Sequence, residues 1–165
     1  VEAFDPVTGQ WLTSTNGDPA ELQTARDNPG AAVIDDKLYV FGGRTRNADG
    51  TVEDGALNTL EIYDPSTDQW TFGNPMLNGR RTMSVGILNN KIQAIGGEGN
   101  TSLNFHEEYN PATGAWRQLP ENEIGSTPFG THGSAFGTIG DVNYIAAGGP
   151  DPGSAFTDQV QAFTF

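Results

Sequence analysis

Three stretches of the chain read VEAFDPVTGQW (residues 1–11), LEIYDPSTDQW (60–70) and HEEYNPATGAW (106–116). Each carries an aromatic (Phe4, Tyr63, Tyr109), then Asp or Asn, then Pro, and each places a Trp (Trp11, Trp70, Trp116) seven residues after the aromatic. A fourth, shorter copy, VQAFTF, starts at Val160 and carries Phe163. In the second copy Pro65 presets φ, while Asp64 and Ser66 can bond the following backbone, so the middle of the stretch is a turn. The flanking residues then form a hairpin with Tyr63 opposite Trp70, an aromatic pair of the kind that stabilises a sheet.

A second block alternates with the first. It reads AAVIDDKLYVFGG up to Gly42-Gly43, VGILNNKIQAIGG up to Gly96-Gly97 and FGTIGDVNYIAAGG up to Gly148-Gly149. Two short apolar runs joined by Asp35-Asp36 or Asn89-Asn90 are again a hairpin. The third copy is one residue longer before its glycines, which reads as a bulge. The glycine pairs lie 54 and 52 residues apart and the tryptophans 59 and 46. Two blocks alternating at such a period make a repeat protein, each unit holding four strands.

On these residues the chain resembles the kelch-repeat family, whose mark is an apolar strand, a double glycine, then an aromatic and a Trp at similar spacing. The resemblance implies an all-β fold, a β-propeller of four-stranded antiparallel blades. The strands amount to about three blades of a larger ring: the third and fourth strands of one blade in 1–14, full blades in 26–73 and 80–118, and the first three strands of a last blade in 132–165. At roughly 50 residues per repeat, a six-bladed ring needs nearly twice this length, so the chain looks like the C-terminal half of a secreted kelch-type propeller. Gly42, Gly43, Gly96, Gly97, Gly148 and Gly149, with Tyr63, Trp70, Tyr109 and Trp116, are expected to serve the repeat itself. The aromatics then pack between blades rather than form a sugar-stacking platform.

Composition narrows the partners. Eight Lys or Arg stand against 21 Asp or Glu, a net charge of −13 that repels phosphate backbones and anionic lipid. Nucleic acid is not an expected partner, and no apolar run is long enough for a helical membrane span. Gly at 22 residues suits turns between strands and opposes a helical bundle. Cysteine is absent, which removes a thiol nucleophile, a thiolate metal site and the thioether-linked tyrosine found in copper oxidases of the galactose oxidase kind.

Candidate sites are few. Arg26, Arg80 (or Arg81) and His132 each lie 16 residues before a glycine pair. There the innermost strand begins, near the rim of long loops, and basic groups gathered about the axis can receive a carboxylate or a sugar hydroxyl. The competing reading is a structural bond from each Arg to loop carbonyls or to a neighbouring blade. Alternating oxygen ligands at Asn47, Asp49, Thr51 and Glu53 around Gly50 resemble a calcium loop, although Thr45 and Ala56 stand where its end ligands belong; a solvated acidic loop competes with that reading. His106 falls at the third-strand position of Leu60 and Val160, which predicts a strand-surface role. Asn100-Thr101-Ser102 is a glycosylation sequon.

Three functions fit. The first is a non-catalytic binding or assembly module that uses the long-loop face to take a protein or carbohydrate ligand. The second is half of a propeller enzyme, a sugar oxidase or isomerase, whose catalytic residues lie outside this chain. The third is a self-associating half-propeller. No catalytic residue and no cofactor are assigned. The expected partners are the remainder of a longer propeller chain or a second copy, and the expected location is extracellular or at the cell surface, with the cytoplasm also compatible.

Overall fold

The computed structural model describes residues 1–12, 17–46, 49–51, 55–120, 127, 130–140, 142–150 and 156–164. Among them are thirteen strands and no helix. The first blade contributes β1 (Phe4–Asp5) and β2 (Gln10–Trp11). The second holds β3 (Gly30–Ile34), β4 (Lys37–Phe41), β5 (Leu60–Asp64) and β6 (Gln69–Gly73). The third holds β7 (Ser84–Leu88), β8 (Lys91–Ile95), β9 (His106–Asn110) and β10 (Ala115–Gln118). The fourth holds β11 (Ala135–Ile139), β12 (Val142–Ala146) and β13 (Val160–Phe163). Each sheet is an antiparallel meander in chain order.

Turn chemistry sets these hairpins. Asp35-Asp36 and Asn89-Asn90 both hold positive φ, between 49° and 58°, as a type I′ turn demands. The outer hairpins align Phe4 with Trp11, Tyr63 with Trp70 and Tyr109 with Trp116 as direct cross-strand partners. Their ring centroids lie 5.0–5.4 Å apart.

The longer third block does not contain a bulge. The pairing of β11 with β12 is unbroken over five residues, as in the other two inner hairpins. Ala147, with φ 59°, stands where Gly42 (64°) and Gly96 (58°) stand, and Gly148 (94°) takes the place of Gly43 (88°) and Gly97 (89°). The repeat is therefore Ala147-Gly148, with Gly149 one step beyond it. A left-handed backbone at a residue with a Cβ costs about 1–2 kcal/mol, so Ala147→Gly is expected to raise the unfolding free energy by about 1 kcal/mol, read in a denaturant melt as a higher midpoint at unchanged slope.

Close approach between blades explains why glycine holds the other positions. The Gly43 amide donates to the Arg80 carbonyl (2.9 Å) and the Gly97 amide to the Thr131 carbonyl (2.6 Å), each in the next blade. A Cβ on Gly42 would sit 2.4 Å from the Arg80 carbonyl oxygen. Between the second and third blades the filling is aromatic. Tyr39 meets Tyr109 at 5.8 Å, and Phe41 meets Trp116 edge-on at 5.4 Å. Ile92, Leu60 and Met83 complete this core.

Candidate functional site at the mouth of the inner strands

Each inner hairpin ends in a single bridge opposite its tight turn: Asp27 with Arg44, Arg81 with Glu98, and His132 with Gly149. These bridges fix which residues are equivalent from blade to blade, and they divide the basic series in two. Arg26 and Arg80 occupy one row, whose third member is Thr131. Arg81 and His132 occupy the next, whose first member is Asp27. The structure does not bring Arg26 and Arg80 together with His132 at an accessible site.

Arg26 and Arg80 have fully buried side chains that serve their own blades. Arg26 Nη2 donates to Glu61 Oε1 (2.5 Å), and Nη1 donates to the Gly42 and Thr59 carbonyls (2.9 and 3.2 Å). Arg80 pairs with Glu107 and donates to the Gly96 and Phe105 carbonyls (3.1 and 3.2 Å). The carboxylates also hold the incoming loops. Glu61 accepts from the Gln23 and Thr24 amides, and Glu107 from the Leu77 and Asn78 amides. Each pair thus clamps the connection from the preceding blade onto the third strand. In the fourth blade both partners are neutral, Thr131 and Gln161.

The second row is largely but not wholly covered, with Arg81 18% and His132 11% exposed at the side chain. Arg81 Nε donates to Glu98 Oε1 at 3.0 Å, and His132 Nδ1 lies 3.9 Å from Glu98 Oε2. Beside them, Arg44 Nε donates to Asp27 Oδ1 at 2.7 Å, which raises the guanidinium pKa, and Arg46 reaches the other Asp27 oxygen at 3.8 Å. A cleft of about 260 Å³ is lined by Ala25, Arg26, Asp27 and the run Arg44, Thr45, Arg46. A second, of about 320 Å³, lies by His132, Gly133, Gly148 and the exposed Phe156. Sequence reasoning passed over Arg44 and Arg46, although Arg44 directly follows a glycine pair and so must emerge at the end of an inner strand.

Of the proposed calcium ligands, Asn47 and Glu53 lie outside the described residues. Asp49 Oδ1 accepts from the Thr51 amide and hydroxyl (2.9 and 2.6 Å), which holds its carboxyl below the usual range. Among the described residues no three His, Asp or Glu side chains gather as metal ligands would. His106 is not on a strand surface: it is 1% exposed, with its ring 5.2 Å from Phe163 of the next blade. Asn100 of the sequon is exposed.

Residues 1–149 match the KLHDC2/KLHL20/DRC7 Kelch-repeats domain. The chain belongs to the kelch-repeat family. It is 30% identical to human Kelch-like protein 23 over 167 aligned residues, covering 99% of this chain and 27% of that one. It is 35% identical to zebrafish Kelch-like ECH-associated protein 1B over 97 residues, 59% of this chain and 15% of that one. The solved structure of YjhT superimposes with a TM-score of 0.78 at 22% identity, covering 94% of this chain and 53% of that chain. The likeness to YjhT shows the kelch propeller fold, and the chain spans about a quarter or less of the curated relatives named here.

Proposed function

We propose that this kelch segment is a non-catalytic protein-binding module whose long-loop face receives a carboxylate-bearing segment of a partner protein. The observation that carries this reading is where the scarce cations lie. In a chain of net charge −13 with eight Lys or Arg, Arg44, Arg46 and Arg81 gather with His132 at one mouth, beside two clefts. Arginine forks suit carboxylates, and the three guanidiniums outnumber the Asp27 and Glu98 carboxylates that pair with them, which favours an acidic ligand. The name of the ECH-associated relative supports protein association as a use of this scaffold. In this reading the other blades of the ring come from the remainder of a longer chain or from a second copy of this one.

Selection of a random peptide library on the immobilised chain tests the reading. Recovered peptides are expected to be rich in Asp and Glu. Their affinity should fall at least about tenfold, or about 1.4 kcal/mol, in Arg44→Glu and Arg46→Glu. Both side chains are partly exposed, and surface pairs contribute about 0–1 kcal/mol to folding, so melting should hardly change. Selected peptides without acidic enrichment, or binding that survives both substitutions, would overturn it.

A further inference from the structure

We propose that the seam between the third and fourth blades is an acid-sensitive release point: it holds the fourth blade at neutral pH and lets it separate as His106 takes up a proton. The ground for this lies in comparing two seams built from the same positions of the repeat. Side chains alternate across a strand, so the pairing partners fix which face each residue occupies. The second blade turns Tyr39, Phe41, Leu60 and Ile62 toward the third. At the same positions the third blade turns Gln93, Ile95, His106 and Glu108 toward the fourth. The receiving face changes too: Ile92 and Tyr109 in the third blade become Asn143 and Phe163 in the fourth.

The polar side chains at this seam are incompletely satisfied. Gln93 Nε2 donates to Glu108 (3.1 Å), but Gln93 Oε1 has no partner among the described residues. Asn143 Oδ1 accepts from Thr138, but among the described residues Asn143 Nδ2 is without a partner, as is Gln161 Oε1. Both ring nitrogens of His106 lack one among the described residues. A buried polar group without a hydrogen bond is destabilising, and separation of the blades would let water satisfy all of these atoms at once. Ile95, Ile145, Phe136 and Phe163 supply the apolar part of the seam, against two aromatic pairs in the neighbouring one.

The groups around the ring make His106 the sensor. Phe163 meets it from the fourth blade. Arg80, held against Glu107, is the cation that acts on it from the connection into β7. Glu108 on the same face is occupied by Lys91, Arg117 and Gln93. The only titratable side chain on β12 and β13 is Tyr144, which alternation turns away from the third blade. Burial, and then the Arg80 charge, push the His106 pKa down to about 4 from 6.5. With the docked pKa below the free one, docking is fully favoured above pH 6.5 and weakens as pH falls toward 4.

Hydrogen exchange by mass spectrometry on the full chain, corrected for intrinsic exchange rates, tests this directly. At pH 7, amides of β11–β13 should be at least about tenfold less protected than those of β3–β10. Between pH 7 and pH 5 the protection of β11–β13 should fall by up to about 20-fold, less whatever part of the shift the Arg80 charge maintains after the blades separate, with much less change in β3–β6. His106→Leu, the residue of the equivalent position Leu60, should abolish that acid step and raise protection at pH 7. His106→Gln, which stays polar and cannot titrate, should abolish the step without the gain. Uniform protection in all blades at pH 7, or an acid step that survives in either variant, would overturn the proposal.

Discussion

Replacing Arg80 by alanine is expected to destabilise the fold by about 3–5 kcal/mol, the range for removing one partner of a buried ion pair. The arginine is wholly buried, and its loss leaves Glu107 charged in the blade interior with only loop amides for company. It also frees the Gly96 and Phe105 carbonyls, and removes the cation that stacks 4.5 Å from the Phe105 ring centroid. Denaturant melts would show the loss as a lowered midpoint. The fourth blade supplies the control, because it fills the same two positions with Thr131 and Gln161. The double variant Arg80→Thr with Glu107→Gln should recover part of the loss, since it removes the orphaned charge while keeping an acceptor for the Leu77 and Asn78 amides. A double variant less stable than Arg80→Ala would contradict the ion-pair explanation.

Trp116→Ala is expected to be as damaging, about 3–5 kcal/mol, because a large buried aromatic leaves a cavity that a rigid seam cannot close. The indole is 8% exposed, lies between Tyr109 and Phe41, and donates its Nε1–H to the Asn74 carbonyl at 2.9 Å. It therefore joins the outer hairpin, the neighbouring blade and the connecting loop. Trp70 makes the equivalent bond to the Ala20 carbonyl at 2.8 Å and stacks on Tyr63 at 5.1 Å. A near-normal midpoint in Trp116→Ala, accompanied by lost ligand binding, would instead mark the indole as a binding platform.

Strand number and order were legible because both hairpins of each blade carry turn residues with a mechanism. Asp35-Asp36 and Asn89-Asn90 accept positive φ, and Pro65 and Pro111 open the outer turns. The glycine pair misled in one blade. Counting from Gly148-Gly149 as a unit shifts the alignment by one residue, which creates an apparent bulge and moves His132 into the row of Arg26 and Arg80. Backbone conformation, not residue identity, defines the position, and Ala147 adopts it.

Glu61 and Glu107 were passed over for another physical reason. Glu61 alternates with Leu60 and Ile62 as a solvent-facing residue of a half-buried sheet does, and Glu107 stands in the polar run His106-Glu107-Glu108, which reads as an exposed strand. A propeller blade is covered on both faces, so both carboxylates are fully buried and must have partners. The same covering accounts for His106. Arg44 and Arg46 lie on a loop, where no periodicity marks a residue as facing the mouth.

The most direct test of the proposed binding face is a hydrogen-exchange footprint of the chain with and without a selected acidic peptide. The proposed mouth predicts slowed exchange at residues 43–46, 80–82, 97–102 and 130–134, where Arg44, Glu98, Arg81 and His132 meet. Slowing confined to the opposite turns, at residues 35–36, 89–90 and 111–114, would contradict it.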